Sequence, residues 1–483
     1  MTVDGVDRRL VKVLLALREH KGSHSGEAQG EVLMNVLEEY EISHNVGYIT
    51  MDNATSNDKM MRYISNQLKT QGINWDPIPH RLRCNGHITN LAVQAFLFTH
   101  DQEAVEESIC QHSQLFQDES SGARDQPDAA KEWRKLGALG RAHNSVAAIR
   151  SSTQRYQEFK KRVGRVIPRD NSTRWNSWYL MIHHLLQCRK EVMGFQDDYW
   201  HEFKDDVLQR SDWEELQEYY NFLQPFWETT KETEGDDSTL DEVLLSMDYL
   251  VTHLRDSQKL YQEDPIMLTR VITCWYSFDK YYKLTAQSPA YATAVLLHPA
   301  LRKSYLSKHW SEHPDWQETA VDAARALWQQ HYRPTPQPVE KEDMTPKQLS
   351  KKRCYGAFSE KDELERFITG STIPLESSAL AWWLEQSQQL AYPYLSRLAI
   401  DIFSIPPMSA EAERVFSGAR RTITWDRARL GASTIEMTEC LKSWIRSRLS
   451  YGAISTLDKV ESLATIVEQS IKAPEIDVVD KAL

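Results

Sequence analysis

Hydrophobic and polar positions along the chain follow two different periods. Over the first hundred residues, short apolar runs alternate with stretches of helical spacing. Leu10-Val-Lys-Val-Leu-Leu-Ala-Leu17 reads as a strand or as a buried turn of helix, since runs this short do not separate the two. "HSGE" (24–27) then opens a helix with Val32, Leu33, Val36 and Leu37 on one face, and Val46–Met51 has strand character. Behind it Met60, Ile64 and Leu68 recur at i, i+4 and i+8, the spacing of one helix face. "HRLRCNGHITNLAVQAFLF" (80–98) reads as a short strand or loop entering an apolar helix. The order β-α-β-α predicts a mixed α/β layer at the N-terminus. From about residue 131 to 332 the period is almost wholly helical, as in Tyr219, Phe222, Leu223 and Phe226. "QDESSGARDQPDAA" (117–130) and "RPTPQPVEKEDMTPKQLSKK" (333–352) read as loops or linkers. Residues 398–431 return to apolar and basic motifs, and 433–449 close with a helix carrying Ile435, Leu441, Trp444 and Ile445.

Composition narrows the class. With 483 residues, 41% hydrophobic and 26% charged, the chain has the balance of a globular protein and the length of roughly three domains. No apolar run approaches the roughly 20 residues a membrane helix needs, so no membrane partner is expected. Its six cysteines (Cys84, Cys110, Cys188, Cys274, Cys354, Cys440) are scattered without a repeated spacing. That predicts a reducing compartment and no disulfide framework, and the lack of paired CxxC motifs excludes a zinc-finger module within these residues.

Net charge is −12, which by itself speaks against nucleic acid, but the charge is segregated. Residues 191–250 hold 18 acidic and 3 basic residues, so the rest of the chain is net basic. Residues 150–190 hold 10 Lys/Arg against Glu158 and Asp170 alone. Such segregation marks either a phosphate-binding face or a solvated helix face.

"VGYITMDNATSNDKMM" (46–61) raises a chemical question, because its apolar strand pattern stops on Asp52. Asp52 is either a cap for the following helix, as Asx residues commonly are, or a metal-binding carboxylate held at a strand end.

Four stretches, taken together, answer differently from any one of them: "GYITMDNATSND" (47–58), "RLRCNGHITNL" (81–91), "DNSTRWNSWYLM" (170–181) and "SAEAERVFSGARRTITWDRARL" (409–430). In this order and spacing they resemble the hAT superfamily of DNA transposases, in the form common in fungal genomes. "WYSFDKYYKLTAQSPAYATAVLLHPALR" (275–302) is similar to the same family, and the likeness covers roughly residues 10–450. It implies an α+β fold, an RNase H-like core of mixed sheet and flanking helices, interrupted by a large all-α insertion. Residues 1–115 would begin the core and 131–332 would form the insertion. A linker at 333–360 would lead to a dimerisation region at 361–455 that completes the core, with a tail at 456–483.

The resemblance also implies a chemistry. Members use Asp, Asp and Glu to hold two Mg²⁺ or Mn²⁺ ions, since in-line attack on a phosphodiester needs one metal at the attacking oxygen and one at the leaving oxygen. By position Asp52 corresponds to the second acid and Glu413 to the third, which would place their carboxylates about 4–8 Å apart across the metals. Glu411, two residues earlier, would face elsewhere on a helix; Glu413 could instead form a surface ion pair with Arg414. The first acid would sit upstream of the strand that Leu10–Leu17 resembles, with two strands missing, as in an N-terminally truncated form. Asp4 and Asp7 do not stand where it would be. Metal binding is therefore expected to be impaired and the chain inactive in cleavage.

Cys84 and His87 match the pair that borders the family's active site, with a core thiol and a hydrogen-bonded imidazole as the alternative. Arg174 and Trp175 match its RW pair, whose tryptophan stacks on a flipped base; among 15 tryptophans, a core role for Trp175 competes evenly. Arg420, Arg421, Arg427 and Arg429 suit phosphate contacts or an exposed helix rim. Two functions remain open: a hAT-type transposase-like protein of mobile-element origin, or a non-catalytic dimerising or DNA-binding protein that keeps the fold. Either implies DNA and a second copy of the chain as partners, and the nucleus as location, for which "KKR" (351–353) is a weak import signal.

Overall fold

The computed structural model describes residues 2–3, 6–7, 10–20, 22, 25–98, 133–171, 174–235, 238–334, 362–422 and 430–447. The expected loop 117–130, nearly all of the linker 333–352, Arg427 and Arg429 lie outside the described residues. The fold is α+β and mostly helical. Its strands are short: β1 (Thr2–Val3) pairs antiparallel with β2 (Val6–Asp7), and β3 (Ile49–Met51) pairs parallel with β4 (Arg81–Arg83). Helices of eight residues or more begin with α1 (Gly26–Glu39), α2 (Ser56–Thr70), α3 (Asn85–Phe98), α4 (Ala138–Arg150) and α5 (Thr153–Val163). They continue with α6 (Trp175–Gln187), α7 (Arg189–Asp198), α8 (Arg210–Thr233), α9 (Asp241–Leu260), α10 (Pro265–Leu284) and α11 (Pro289–Leu297). Last come α12 (Arg302–His309), α13 (Pro314–His331), α14 (Leu395–Phe403), α15 (Ala410–Thr422) and α16 (Ala432–Arg446).

These elements form two compact units, one of residues 1–47, 54–77 and 409–483, the other of 48–53 and 78–408. In the first unit Ser25 caps α1 by accepting from the Ala28 N–H. Gly26 and Gly30, one turn apart, let α2 approach closely. A Cβ at Gly26 would lie 2.0 Å from the Ser56 carbonyl oxygen, and one at Gly30 would lie 2.8 Å from the Tyr63 ring. Met34 and Leu37 of α1, and Met61, Ile64 and Leu68 of α2, are buried.

Leu10–Leu17, read from its apolar pattern as a strand or a buried turn of helix, is neither: among the described residues it pairs with no strand and forms no helix. Its backbone groups bond to side chains of α16 and its C-cap residue. The Leu14 N–H donates to Ser443 (2.8 Å), the Leu17 N–H to Glu436 (3.0 Å), Trp444 Nε1 donates to the Leu14 carbonyl (2.8 Å), and Ser447 donates to that of Lys12 (2.7 Å). Backbone groups need partners when removed from water, and side chains supply them here instead of a ladder.

The second unit is a helical body around the β3–β4 pair. Tyr219, Phe222, Leu223 and Phe226 of α8 are buried, as their spacing predicts, and Phe222 stacks on Phe96 of α3 at 4.2 Å. Arg270 of α10 reaches the end of α3 and donates to the carbonyls of Phe96 (2.9 Å) and Leu97 (3.0 Å), two of the acceptors a helix C-terminus leaves open. Arg134 holds Asp206 through two 2.7 Å bonds, and Arg141 pairs with Asp212 at the start of α8.

Candidate functional site

The register of β3 and β4 fixes which side chains meet at their carboxyl ends. Ile49 stands opposite Arg81, Thr50 opposite Leu82, and Met51 opposite Arg83. The Cys84 N–H then donates to the Met51 carbonyl (2.8 Å), so Asp52 and Cys84 follow as neighbours where the strands end. Carboxyl ends of parallel strands are where open α/β sheets place ligands. Asp52 is exposed and Cys84 buried. The cap position of α2 falls on Thr55, whose side chain makes no cap bond. The Cys84 carbonyl accepts from the N–H groups of His87 and Ile88 (both 3.1 Å), so His87, half-buried, lies in the first turn of α3 beside the strand ends.

Cations flank this edge. Arg83 donates to Asn53 Oδ1 (3.0 Å) and Arg81 to the Asp52 carbonyl (3.5 Å). Burial and the adjacent Arg83 push Arg81 down to about 10, against the pull of the Asp52 carboxylate, so it stays charged at neutral pH. Tyr291 pins β4 by accepting from the Arg83 N–H (3.0 Å) and donating to its carbonyl (3.4 Å). The segment before α15 also docks here, with Pro406 accepting from Thr50 Oγ1 (3.2 Å) and Pro407 from the Asn85 N–H (3.2 Å). Sequence reading passed over Arg81, Arg83 and the two prolines, although "IPP" directly ahead of a helix pattern was a visible stop signal.

Arg174 and Trp175 are tied to α3 through Asn90, which lies one turn after His87 and accepts from the Trp175 N–H (3.0 Å) at the start of α6. Arg174 is exposed, whereas Trp175 is 2% exposed, edge-on to Tyr179 and Trp227. Asp170, which opens the motif, bonds His143 Nδ1 (2.8 Å). The basic run ahead of it follows α5: Lys160, Lys161, Arg165 and Arg169 are exposed, and Arg162 is paired with Asp198 (2.7 Å).

Glu413 and Arg420 belong to the other unit, both exposed on α15; Arg421 lies in the same helix, its side chain outside the described residues. Glu411 forms a 3.1 Å pair with Arg414. Among the described residues no three His, Cys, Asp or Glu side chains converge so as to hold a metal ion. Mg²⁺ and Mn²⁺ call for oxygen ligands, and Arg81 is the cation that feels the Asp52 carboxylate. On the C-terminal helices Phe416 (64%), Leu441 (40%) and Ile445 (58%) are exposed apolar side chains. No described helix is long and apolar enough to cross a membrane.

Comparison with known proteins adds two regional matches. Residues 358–445 match the hAT family C-terminal dimerisation region, and residues 3–76 match the ZBED1 RNase-like domain. Over 94% of its length the chain is 25% identical to a protein named as a transcriptional regulator, tpeD, of Talaromyces stipitatus, and covers 52% of that relative. It is 21% identical over 96% of its length to a protein named as an AC transposase of Zea mays, covering 58% of it. Over 66% of its length it is 26% identical to the zinc finger BED domain-containing protein DAYSLEEPER of Arabidopsis thaliana, covering 46% of it. The chain thus spans about half the length of the curated relatives it matches.

Proposed function

We propose that the chain is a hAT transposase-like protein, a dimerising DNA-binding protein of mobile-element descent built on an RNase H-like core. The parallel β3–β4 pair, the helices that follow each strand, and the match over residues 3–76 support the core. The match over 358–445, with apolar Phe416, Leu441 and Ile445 exposed inside it, supports self-association.

The observation that carries DNA binding is the row of exposed cations Lys160, Lys161, Arg165, Arg169 and Arg174. Neutralised phosphates release counterions, so affinity should fall steeply with salt. Replacing Lys160, Lys161 and Arg165 by Ala should lower the slope of log K against log[salt] for duplex DNA by about 3. An unchanged slope would remove this face from the interface.

Asp52 and Glu413 are each proposed as a metal-binding carboxylate of the family's kind, and Mg²⁺ or Mn²⁺ would supply the polarisation of a phosphodiester. Cys84 and His87 would border the scissile phosphate. Without a third ligand among the described residues, no catalytic step is assigned. Residues 1–483 with Mn²⁺ and transposon-end DNA should give no cleavage above background; nicking that disappears in Asp52→Asn would restore the enzyme. The relative named as a transcriptional regulator favours the same non-cleaving reading. The location that follows is the nucleus, checked by imaging a tagged chain.

A further inference from the structure

The helices α9, α10 and α13 enclose, with Trp310, a pocket that the DNA-binding reading does not use. Its volume is about 100 Å³, and Trp275, Tyr282, Trp310 and Trp316 stand in its wall. Trp310 meets Trp316 edge to face (6.1 Å, 86°), Tyr282 lies tilted against Trp316 (6.3 Å), and His313 stacks on Trp316 at 4.0 Å. Four aromatic side chains therefore line one small space.

One wall residue carries a buried carboxyl group. Asp248 of α9 is 8% exposed, and its carboxylate accepts from Tyr282 (2.5 Å), Tyr305 (2.9 Å) and Trp310 (3.4 Å). All three donors are neutral, and His309 is close enough for its field to reach the carboxyl. Burial pushes this carboxyl up from its usual range, while the hydrogen bonds and His309 hold it down. The other ionisable groups at the pocket are Asp279, which pairs with Lys283 (2.6 Å), Glu312, Arg255 and His313. Withdrawing a carboxylate from water is costly, so a cation entering beside Asp248 would favour its charged form.

We propose that this pocket binds a methylated ammonium group, either of a free quaternary amine or of a methylated lysine side chain. The space, that of roughly three water molecules, holds one such head group. Its diffuse charge and methyl surface suit aromatic walls, and the cation would add a positive charge beside the Asp248 carboxyl. A hard metal ion would require several more oxygen ligands.

The test titrates the full chain with tetramethylammonium and follows tryptophan fluorescence, with tert-butanol as the neutral isostere. Saturable binding of the cation alone is expected. It should weaken about tenfold or more in Asp248→Asn, which keeps an acceptor for the tyrosines, and in Trp316→Ala, while Trp316→Phe retains most of it. Trp316 is 36% exposed, so that variant keeps the test usable if Asp248→Asn fails to fold. Choline set against a trimethyl-lysine peptide identifies the source of the head group, with unmodified peptide as control. No saturation, equal binding of tert-butanol, or full affinity in a folded Asp248→Asn would overturn the proposal.

Discussion

Arg270 is 5% exposed, sits over the Tyr219 ring at 5.0 Å and closes the end of α3 with two hydrogen bonds. Truncation to Ala would strip two helix-end carbonyls of a charged donor inside the body. Arg270→Ala should therefore lose about 2–3 kcal/mol in urea denaturation, and a loss below 0.5 kcal/mol would mean water replaces the donor. Glu242 works in the opposite direction. Burial first, and then the charge of Asp241, raise its carboxyl from 4.5 to about 7. The folded state thus holds a proton that the unfolded chain releases at lower pH. Its contribution is most favourable below about pH 4.5 and is lost as pH rises through 7. Glu242→Gln should raise the melting temperature at pH 8 and flatten the decline between pH 5 and 8. At this scale the sequence was uneven. Asp52 was legible as a strand-end carboxylate, but its adjacency to Cys84 and Arg81 follows from a parallel register that no local pattern announces. Trp175 was recognisable as a motif residue, while its burial against Tyr179 and Trp227 depends on helices far along the chain.

Gly26 and Gly30 show how an element's packing depends on what is left out of it. Since a Cβ at Gly26 would collide with the Ser56 carbonyl, a backbone atom that cannot rotate away, Gly26→Ala should separate α1 from α2. A loss of about 1–3 kcal/mol is expected, despite alanine's better helix propensity. An increase in stability would show that the two helices can part without cost. Helices were the legible elements, because i, i+3, i+4 spacing is written into α2 and α8 directly. Leu10–Leu17 was not, because an apolar run states that a segment is covered but not what covers it. Its partners Glu436, Ser443 and Trp444 stand more than 400 residues away.

For the whole molecule, the exposed apolar side chains of α15 and α16 bear on assembly. If they form the self-association surface, Phe416→Glu with Ile445→Glu should convert a dimer to a monomer in sedimentation at micromolar concentration, with an unchanged circular dichroism spectrum. A wild-type chain that is already monomeric under those conditions removes the dimer. The first compact unit also gathers three separated stretches of chain, and the bond from Leu14 to Ser443 spans 429 residues. On a ribosome adding about 5–20 residues per second, Leu14 emerges roughly 20–90 s before its partner exists. During that wait Leu10–Leu17 is an apolar strand-like tract with unclaimed backbone groups, the kind of segment that chaperones bind and nascent chains aggregate through. The yield of folded protein should therefore depend on translation rate and chaperone supply more than its finished stability would suggest.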